Sequence, residues 1–166
     1  MIEKLKNTIQ EYLPDADLVL LEKAFNFASH AHFCQIRATG EPYINHCYAV
    51  AMILTELRLD VNTICASLLH DILEDTLVVR EELKEEFGEE ITVLIEGVTK
   101  INKYKFDNQQ TAQAENWRKM LLAVVKDTRV IIIKLADRLH NMRTIKFLPP
   151  VKQEKIAQET LTLYTP

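Results

Sequence analysis

Six consecutive residues, His70-Asp71-Ile72-Leu73-Glu74-Asp75, set one imidazole and three carboxylates directly after an apolar run, Ala66-Ser67-Leu68-Leu69. Placed on a helix at about 100° per residue, Val61, Ile64, Cys65, Leu68, Leu69, Ile72 and Leu73 form one apolar stripe. His70, Asp71, Glu74 and Asp75 then fall together on the other side, within roughly 140°. Like charges at i,i+4 and neighbouring positions destabilise a helix by a few tenths of a kcal/mol each. Such a face calls for a compensating cation, and a metal ion is the simplest one.

Two further donors, His46 and Asp137, lie on separate helical segments. His46, His70, Asp71 and Asp137 make a mixed nitrogen and oxygen set. That set suits Mn²⁺, Fe²⁺ or Zn²⁺ better than the all-oxygen sets preferred by Mg²⁺ or Ca²⁺. Adjacent residues on a helix point roughly 100° apart, so His70 and Asp71 reach one ion only if it sits between them at the edge of the face. Glu74 and Asp75, one turn on, are placed to orient or deprotonate a metal-bound water without ligating the metal. Lys134 and Arg138 bracket Asp137 and set cations beside the ion, as an anionic phosphate substrate needs.

The elements that must position these residues read as helices throughout. Ile2 to Leu13 makes a short amphipathic helix ended by Pro14, and Asp15 or Asp17 caps a second that runs toward His32. A loop, Gln35 to Pro42, precedes a third helix from Tyr43 to Leu57 with His46 in its first turn. Asp60 caps the helix that carries the central stretch. Val79 to Phe87 is a charged helix stopped by Gly88, and Glu90 to Ile101 is another, with Gly97 tolerated inside it at some cost. Asn102 to Gln113 is polar and without period, the expected mobile loop, and Glu115 to Val125 resumes the helical pattern.

Val130 to Ile133 contains four β-branched residues in a row, which also suits a buried strand. The helical period decides the segment: Ile131, Leu135, Leu139 and Met142 share one side, while Lys134, Asp137, Arg138 and Asn141 share another. One long helix is expected from Thr128 to Phe147, ended by Pro149-Pro150, with a last helix from Lys152 to Tyr164. With only three glycines and five prolines in 166 residues, the chain reads as one all-α domain of roughly eight to ten helices.

A formal charge of −4 argues against a general nucleic-acid binder, since no large basic stripe is present to release counterions. Cys34, Cys47 and Cys65 are odd in number and form no Cys-x-x-Cys pair, as expected of reduced thiols. There is no apolar run of 18 or more residues and no signal-peptide pattern, so a soluble, cytoplasmic protein without a membrane partner is expected. The acidic pairs Glu81-Glu82, Glu85-Glu86 and Glu89-Glu90 read as a solvated face. His30, His32 and His140 read as packing or hydrogen-bonded residues, Cys47 as a small apolar residue, and Trp117 as a packing anchor.

His46, His70-Asp71 and Asp137 match the H…HD…D pattern of the HD-domain metal-dependent phosphohydrolases. Gln35-x-Arg37-x-x-Gly40-Glu41-Pro42-Tyr43-Ile44-x-His46 resembles the opening motif of the hydrolase domain of the RelA/SpoT family. Later segments resemble that family in the expected order: Leu68 to Thr76, Gly97 to Lys100, Gln113 to Asn116, Arg118 to Leu122, and Ile133 to Thr144. The resemblance implies an HD-type helical bundle that removes pyrophosphate from the 3′ position of guanosine tetra- or pentaphosphate (ppGpp or pppGpp), with Mn²⁺ as cofactor. It assigns His46, His70, Asp71 and Asp137 as metal ligands and Glu74 and Asp75 as the pair that activates the attacking water. It sets Arg37 against the guanine base, with Asn141 and Thr144 near the sugar and 3′ side.

Ala38 follows Arg37 where many relatives carry a second basic residue, and Cys47 follows His46 where proline is usual. Residues 1–166 read as a single hydrolase domain in which nothing resembles the synthetase motifs, either the N-terminal fragment of a longer bifunctional bacterial protein or a stand-alone small hydrolase, with the family-like ending at Leu161 to Pro166 favouring the fragment. Synthetase and regulatory domains are then expected in cis. Two other readings stand beside this one: a hydrolase of a different nucleotide, which the Arg37-to-His46 motif opposes, and a nucleotide-binding regulatory module without turnover, which the intact Glu74-Asp75 pair opposes.

Overall fold

A computed structural model of the chain describes residues 1–102 and 126–163. The expected polar loop from Asn102 to Gln113, the helix from Glu115 to Val125 and the Gln113–Asn116 and Arg118–Leu122 motifs fall wholly or almost wholly outside these residues. The described residues are helical, in the order α1 (Ile2–Gln10), α2 (Leu18–Ala31), α3 (Ile44–Glu56), α4 (Val61–Leu68), α5 (Ile72–Asp75), α6 (Arg80–Asn102), α7 (Thr128–Arg143) and α8 (Pro150–Leu163). Because α5 is a single turn, seven helices among the described residues exceed one turn, fewer than the eight to ten expected. The β element among them is an isolated bridge, Ile36 to Pro42.

Caps explain where most helices begin. The Asp17 carboxylate accepts from the Leu20 N–H at 2.9 Å, that of Asp60 from Thr63 at 3.0 Å, and that of Asp127 from Arg129 at 2.9 Å. Each satisfies a backbone donor that the first turn leaves without a partner. Gly88 takes φ 78° and ψ 171° inside α6, so the two helices expected around it are joined across a sharp kink that a side chain would strain.

At the centre lies α4, buried on nearly every side, with the hydroxyls of its buried Thr63 and Ser67 bonded to Asp60 and to the Ile64 carbonyl. It packs against α2, α3, α6 and α7. Where α6 meets α7, a Cβ on Gly97 would stand 2.7 Å from Val130 Cγ2. The missing side chain therefore lets the two backbones approach and brings α7 down onto the core.

Two expectations about the helices need correction. The central stretch does not continue one helix from Asp60 to Asp75, since the chain turns at Leu69 to Asp71 between α4 and α5. There the Ser67 hydroxyl bonds to the Ile64 carbonyl at 2.7 Å and His70 Nδ1 to the Ser67 carbonyl at 2.8 Å. The Leu69 N–H takes the Cys65 and Ala66 carbonyls and His70 takes that of Ser67, so the end of α4 is closed where the chain turns.

The segment Thr128–Phe147 likewise breaks at Thr144, where a 3₁₀ turn (Ile145–Phe147) follows. Its apolar stripe also points the other way: Leu135 and Leu139 are 43% and 42% exposed, while Lys134 and Asp137 are buried. Val130, Ile133 and Ala136 fill the inward face instead. The polar side is inward because it meets the histidines of α3 and of the α4–α5 turn.

Candidate metal centre

Three segments deliver the candidate ligands: His46 from the first turn of α3, His70 and Asp71 from the α4–α5 turn, and Asp137 from the middle of α7. His46 Nε2 lies 3.6 Å from Asp71 Oδ2 and 3.3 Å from Asp137 Oδ1. His70 Nε2 lies 2.9 Å and 3.8 Å from the same two oxygens. Donor atoms of His46, His70 and Asp137 all fall within 4.8 Å of one another. Ligands held at about 2.0–2.2 Å from one ion stand roughly 3.0–3.5 Å apart, so the cluster is close to the size a first-row divalent ion needs.

The turn at Leu69–Asp71, rather than a helix edge, is what lets His70 and Asp71 converge. His70 is fully buried, its Nδ1 is taken by Ser67, and its Nε2 has no hydrogen-bond partner of good geometry. A buried nitrogen left over among two carboxylates fits a metal ligand, because an unsatisfied buried polar atom otherwise costs about 1–3 kcal/mol.

The charges agree with this. Burial alone would raise the carboxyls of Asp71 and Asp137, but His70 beside the first and Lys134 beside the second hold both well below the usual range. Burial pushes the His70 imidazole down, and the two carboxylates outweigh it, lifting it to about 10. The pocket thus favours positive charge at its centre.

Lys134 is buried with its ammonium 2.8 Å from Asp137 Oδ2, so it grips the carboxylate from behind. Asn141 Nδ2 donates to Asp137 Oδ1 at 2.6 Å and Arg37 Nη2 to Asn141 Oδ1 at 2.7 Å. A chain of hydrogen bonds therefore runs from Arg37 to a candidate ligand. The loop that holds Arg37 is closed by Gly40 at φ 83° and by the Arg37 N–H to Glu41 carbonyl bond at 2.9 Å. Arg37, Ala38, Thr39, Asn141, Thr144 and Leu148 line a shallow pocket beside the cluster. Arg138 reaches instead to Glu159 on α8 at 3.3 Å.

Glu74 is half-buried and Asp75 exposed on α5. Tyr43 ties Asp75 to the cluster, its hydroxyl donating to Asp71 Oδ2 at 2.7 Å and lying 3.1 Å from Asp75 Oδ2. Its ring stacks on His32 at 4.6 Å and meets His46 edge-on at 5.6 Å. His32 in turn bonds to Gln35, whose amide donates to the Asp75 carbonyl at 2.7 Å.

Sequence reasoning placed Tyr43 at a helix start and within the opening motif without giving it a role, and set His32 and His140 aside. The contacts that give Tyr43 its place span 28 and 32 residues and carry no local signal. Cys47 is buried with its thiol pushed up, by burial and then by Asp71, as an inert packing residue should be.

A family model described as an HD domain matches residues 24–166. Over its whole length the chain is 49% identical to a protein of Escherichia coli (strain K12) named bifunctional (p)ppGpp synthase/hydrolase SpoT, of which it covers 24%. It is equally 49% identical, over 24% of the relative, to a Vibrio cholerae serotype O1 protein named guanosine-3′,5′-bis(diphosphate) 3′-pyrophosphohydrolase. The chain therefore spans about a quarter of the length of these relatives. A solved structure described as "A metazoan ortholog of SpoT hydrolyzes ppGpp and plays a role in starvation responses" superposes with a TM-score of 0.69 at 28% identity, covering 87% of this chain and 82% of that one. An all-helical frame, two histidines and two aspartates meeting in its core, and these matches agree: the chain belongs to the HD domain family, in its RelA/SpoT branch.

Proposed function

We propose that the chain is a metal-dependent guanosine-3′,5′-bis(diphosphate) 3′-pyrophosphohydrolase domain, converting ppGpp or pppGpp to GDP or GTP and pyrophosphate. The observation that carries this is the buried cluster of His46, His70, Asp71 and Asp137, joined through Asn141 to Arg37 at the mouth of a shallow pocket. Mn²⁺ is the ion we assign to the cluster, on its mixed nitrogen and oxygen donors. When bound, such an ion polarises a phosphoryl oxygen and makes a water more acidic.

The residues divide the rest of the work. Arg37 offers a planar cation to the guanine base, and Asn141 and Thr144 line the same pocket toward the sugar and 3′ side. Glu74 and Asp75 take the proton of the water that attacks the phosphorus next to the ribose 3′ oxygen. That P–O bond breaks, the 3′ oxygen takes a proton, and pyrophosphate leaves. Tyr43 holds Asp75 and Asp71 in register. Lys134 acts on Asp137 rather than on the phosphates, because its ammonium is buried against that carboxylate. Arg138, turned to α8, helps dock that helix.

In the cell we expect the domain to work in the cytoplasm, joined in cis to synthetase and regulatory domains; the bifunctional synthase/hydrolase it matches is about four times as long. Among the described residues no helix is long and apolar enough to cross a membrane.

Metal-stripped protein given ppGpp, with Mn²⁺ added back, tests the reading directly. Release of GDP and pyrophosphate that depends on Mn²⁺ and disappears in Asp71→Ala is the expected result. Folded, Mn²⁺-loaded protein that leaves ppGpp intact would overturn it.

A further inference from the structure

The face of α7 that supplies Asp137 also carries His140, one turn further on at i+3. His140 Nδ1 lies 2.7 Å from His46 Nδ1, across 94 residues of sequence. The two rings are tilted by 48° with centroids 4.8 Å apart, so they meet through these nitrogens rather than by stacking. The other nitrogen of His46, Nε2, is the one directed at Asp71 Oδ2 and Asp137 Oδ1.

The geometry points to His140 as the positioning residue of the metal centre: its Nδ1 accepts the Nδ1–H of His46 and holds the His46 Nε2 lone pair toward the ion. This rests on His46 being a metal ligand.

An imidazole that ligates through Nε2 must carry its proton on Nδ1, and that N–H needs an acceptor when the ring is buried. His46 is 1% exposed, and the acceptor that the structure supplies is His140. The two histidine ligands are therefore supported differently, His70 by the backbone carbonyl of Ser67 and His46 by a side chain of another helix. A neutral acceptor also suits the charge of the site. Asp71 and Asp137 already bring two negative charges to a divalent ion, and a carboxylate behind His46 would add a third beside Glu74 and Asp75. Because Asp137 and His140 share one helix, a single placement of α7 sets both a ligand and the support of another ligand.

The test compares Mn²⁺ affinity, measured calorimetrically without nucleotide, in wild type, His140→Gln and His140→Leu. Glutamine keeps an acceptor oxygen, and leucine removes it at similar volume. His140→Leu should weaken Mn²⁺ binding by about 10–100-fold, with His140→Gln recovering most of the loss. In ¹⁵N-labelled wild type, a scalar coupling across the N–H···N bond between His46 and His140 should be seen, a readout that needs no variant.

Equal Mn²⁺ affinity in wild type and His140→Leu, equal losses in both variants, or no coupling would each overturn the assignment. If wild type binds Mn²⁺ and cleaves ppGpp while His140→Leu binds as tightly, only this inference fails. If wild type binds no Mn²⁺, the metal-centre reading fails with it.

Discussion

The chain carries two acidic stretches of similar composition that meet opposite fates. Between Glu81 and Glu90 six glutamates stand on the outer face of α6, all exposed, with Arg80 and Lys84 pairing Glu89. Between Asp71 and Asp75 three carboxylates stand on α5 and the turn before it, and Asp71 is buried against His70 and Tyr43. His70 and the apolar run before it mark the second stretch in the sequence, but neither says how deeply its carboxylates are buried. What separates them is the neighbour across the fold: α4 ends beneath Asp71, and α7 brings Asp137 to it. An acidic run becomes a site when the packing takes it out of water and sets its carboxylates around a buried nitrogen, here His70 Nε2, 2.9 Å from Asp71 Oδ2.

Breaking the buried stretch should have the largest effect. Asp137→Ala removes the carboxylate that Lys134 and Asn141 face, so Mn²⁺ binding and turnover should both be lost. Loss of one partner of so buried a pair should also cost on the order of 3–5 kcal/mol, visible as a lower Tm of the metal-free protein. Retained Mn²⁺ binding in that variant would remove Asp137 from the ligand set.

Glu74→Gln and Asp75→Asn sharpen the division within the stretch itself. Each should lower kcat by about 10²–10⁴-fold while leaving calorimetric Mn²⁺ affinity near wild type. If metal affinity fell as far as kcat, these residues would be ligands rather than proton acceptors.

The inner face of α6 should be as sensitive as its acidic face is tolerant. Gly97→Ala would place a methyl 2.7 Å from Val130 Cγ2 and push α6 from α7, costing about 1–3 kcal/mol in urea unfolding. A Tm equal to wild type would show that the Val130 side chain can yield. On the outer face, Glu82→Gln and Glu85→Gln should change stability by no more than about 0.5 kcal/mol and leave turnover alone. A loss of activity there would mean that the solvated face does more than stay in water.

Much of the helical frame was legible in local pattern. Asp17 and Asp60 cap helices as expected, because a short carboxylate reaches the next turn's N–H where the chain enters a helix, and Asp127 does the same without having been singled out. Ile64, Cys65, Leu68, Leu69 and Ile72 are buried as their stripe requires. The candidate ligands were legible as residue types, and the structure brings His46, His70, Asp71 and Asp137 together.

The rotation of α7 was not legible. Leu135 and Leu139 look like a core stripe, yet Lys134 and Asp137 face inward, because the inner partner of α7 is a polar site as well as an apolar core. A hydrophobic stripe finds the buried face only when that face meets apolar groups alone.

The amino-acid sequence by itself determined most of the helices, the caps at Asp17 and Asp60 and the inventory of nitrogen and oxygen donors, since these follow from interactions within about four residues. Only the tertiary structure decided which donors share a centre and what stands behind each. The turn at Leu69–Asp71 aims His70 and Asp71 at one point, the approach at Gly97 seats α7, and α7 then sets Asp137, Lys134 and His140 around the histidines. Those pairings join residues up to 94 positions apart, and helix packing, not local spacing, sets the distances between them.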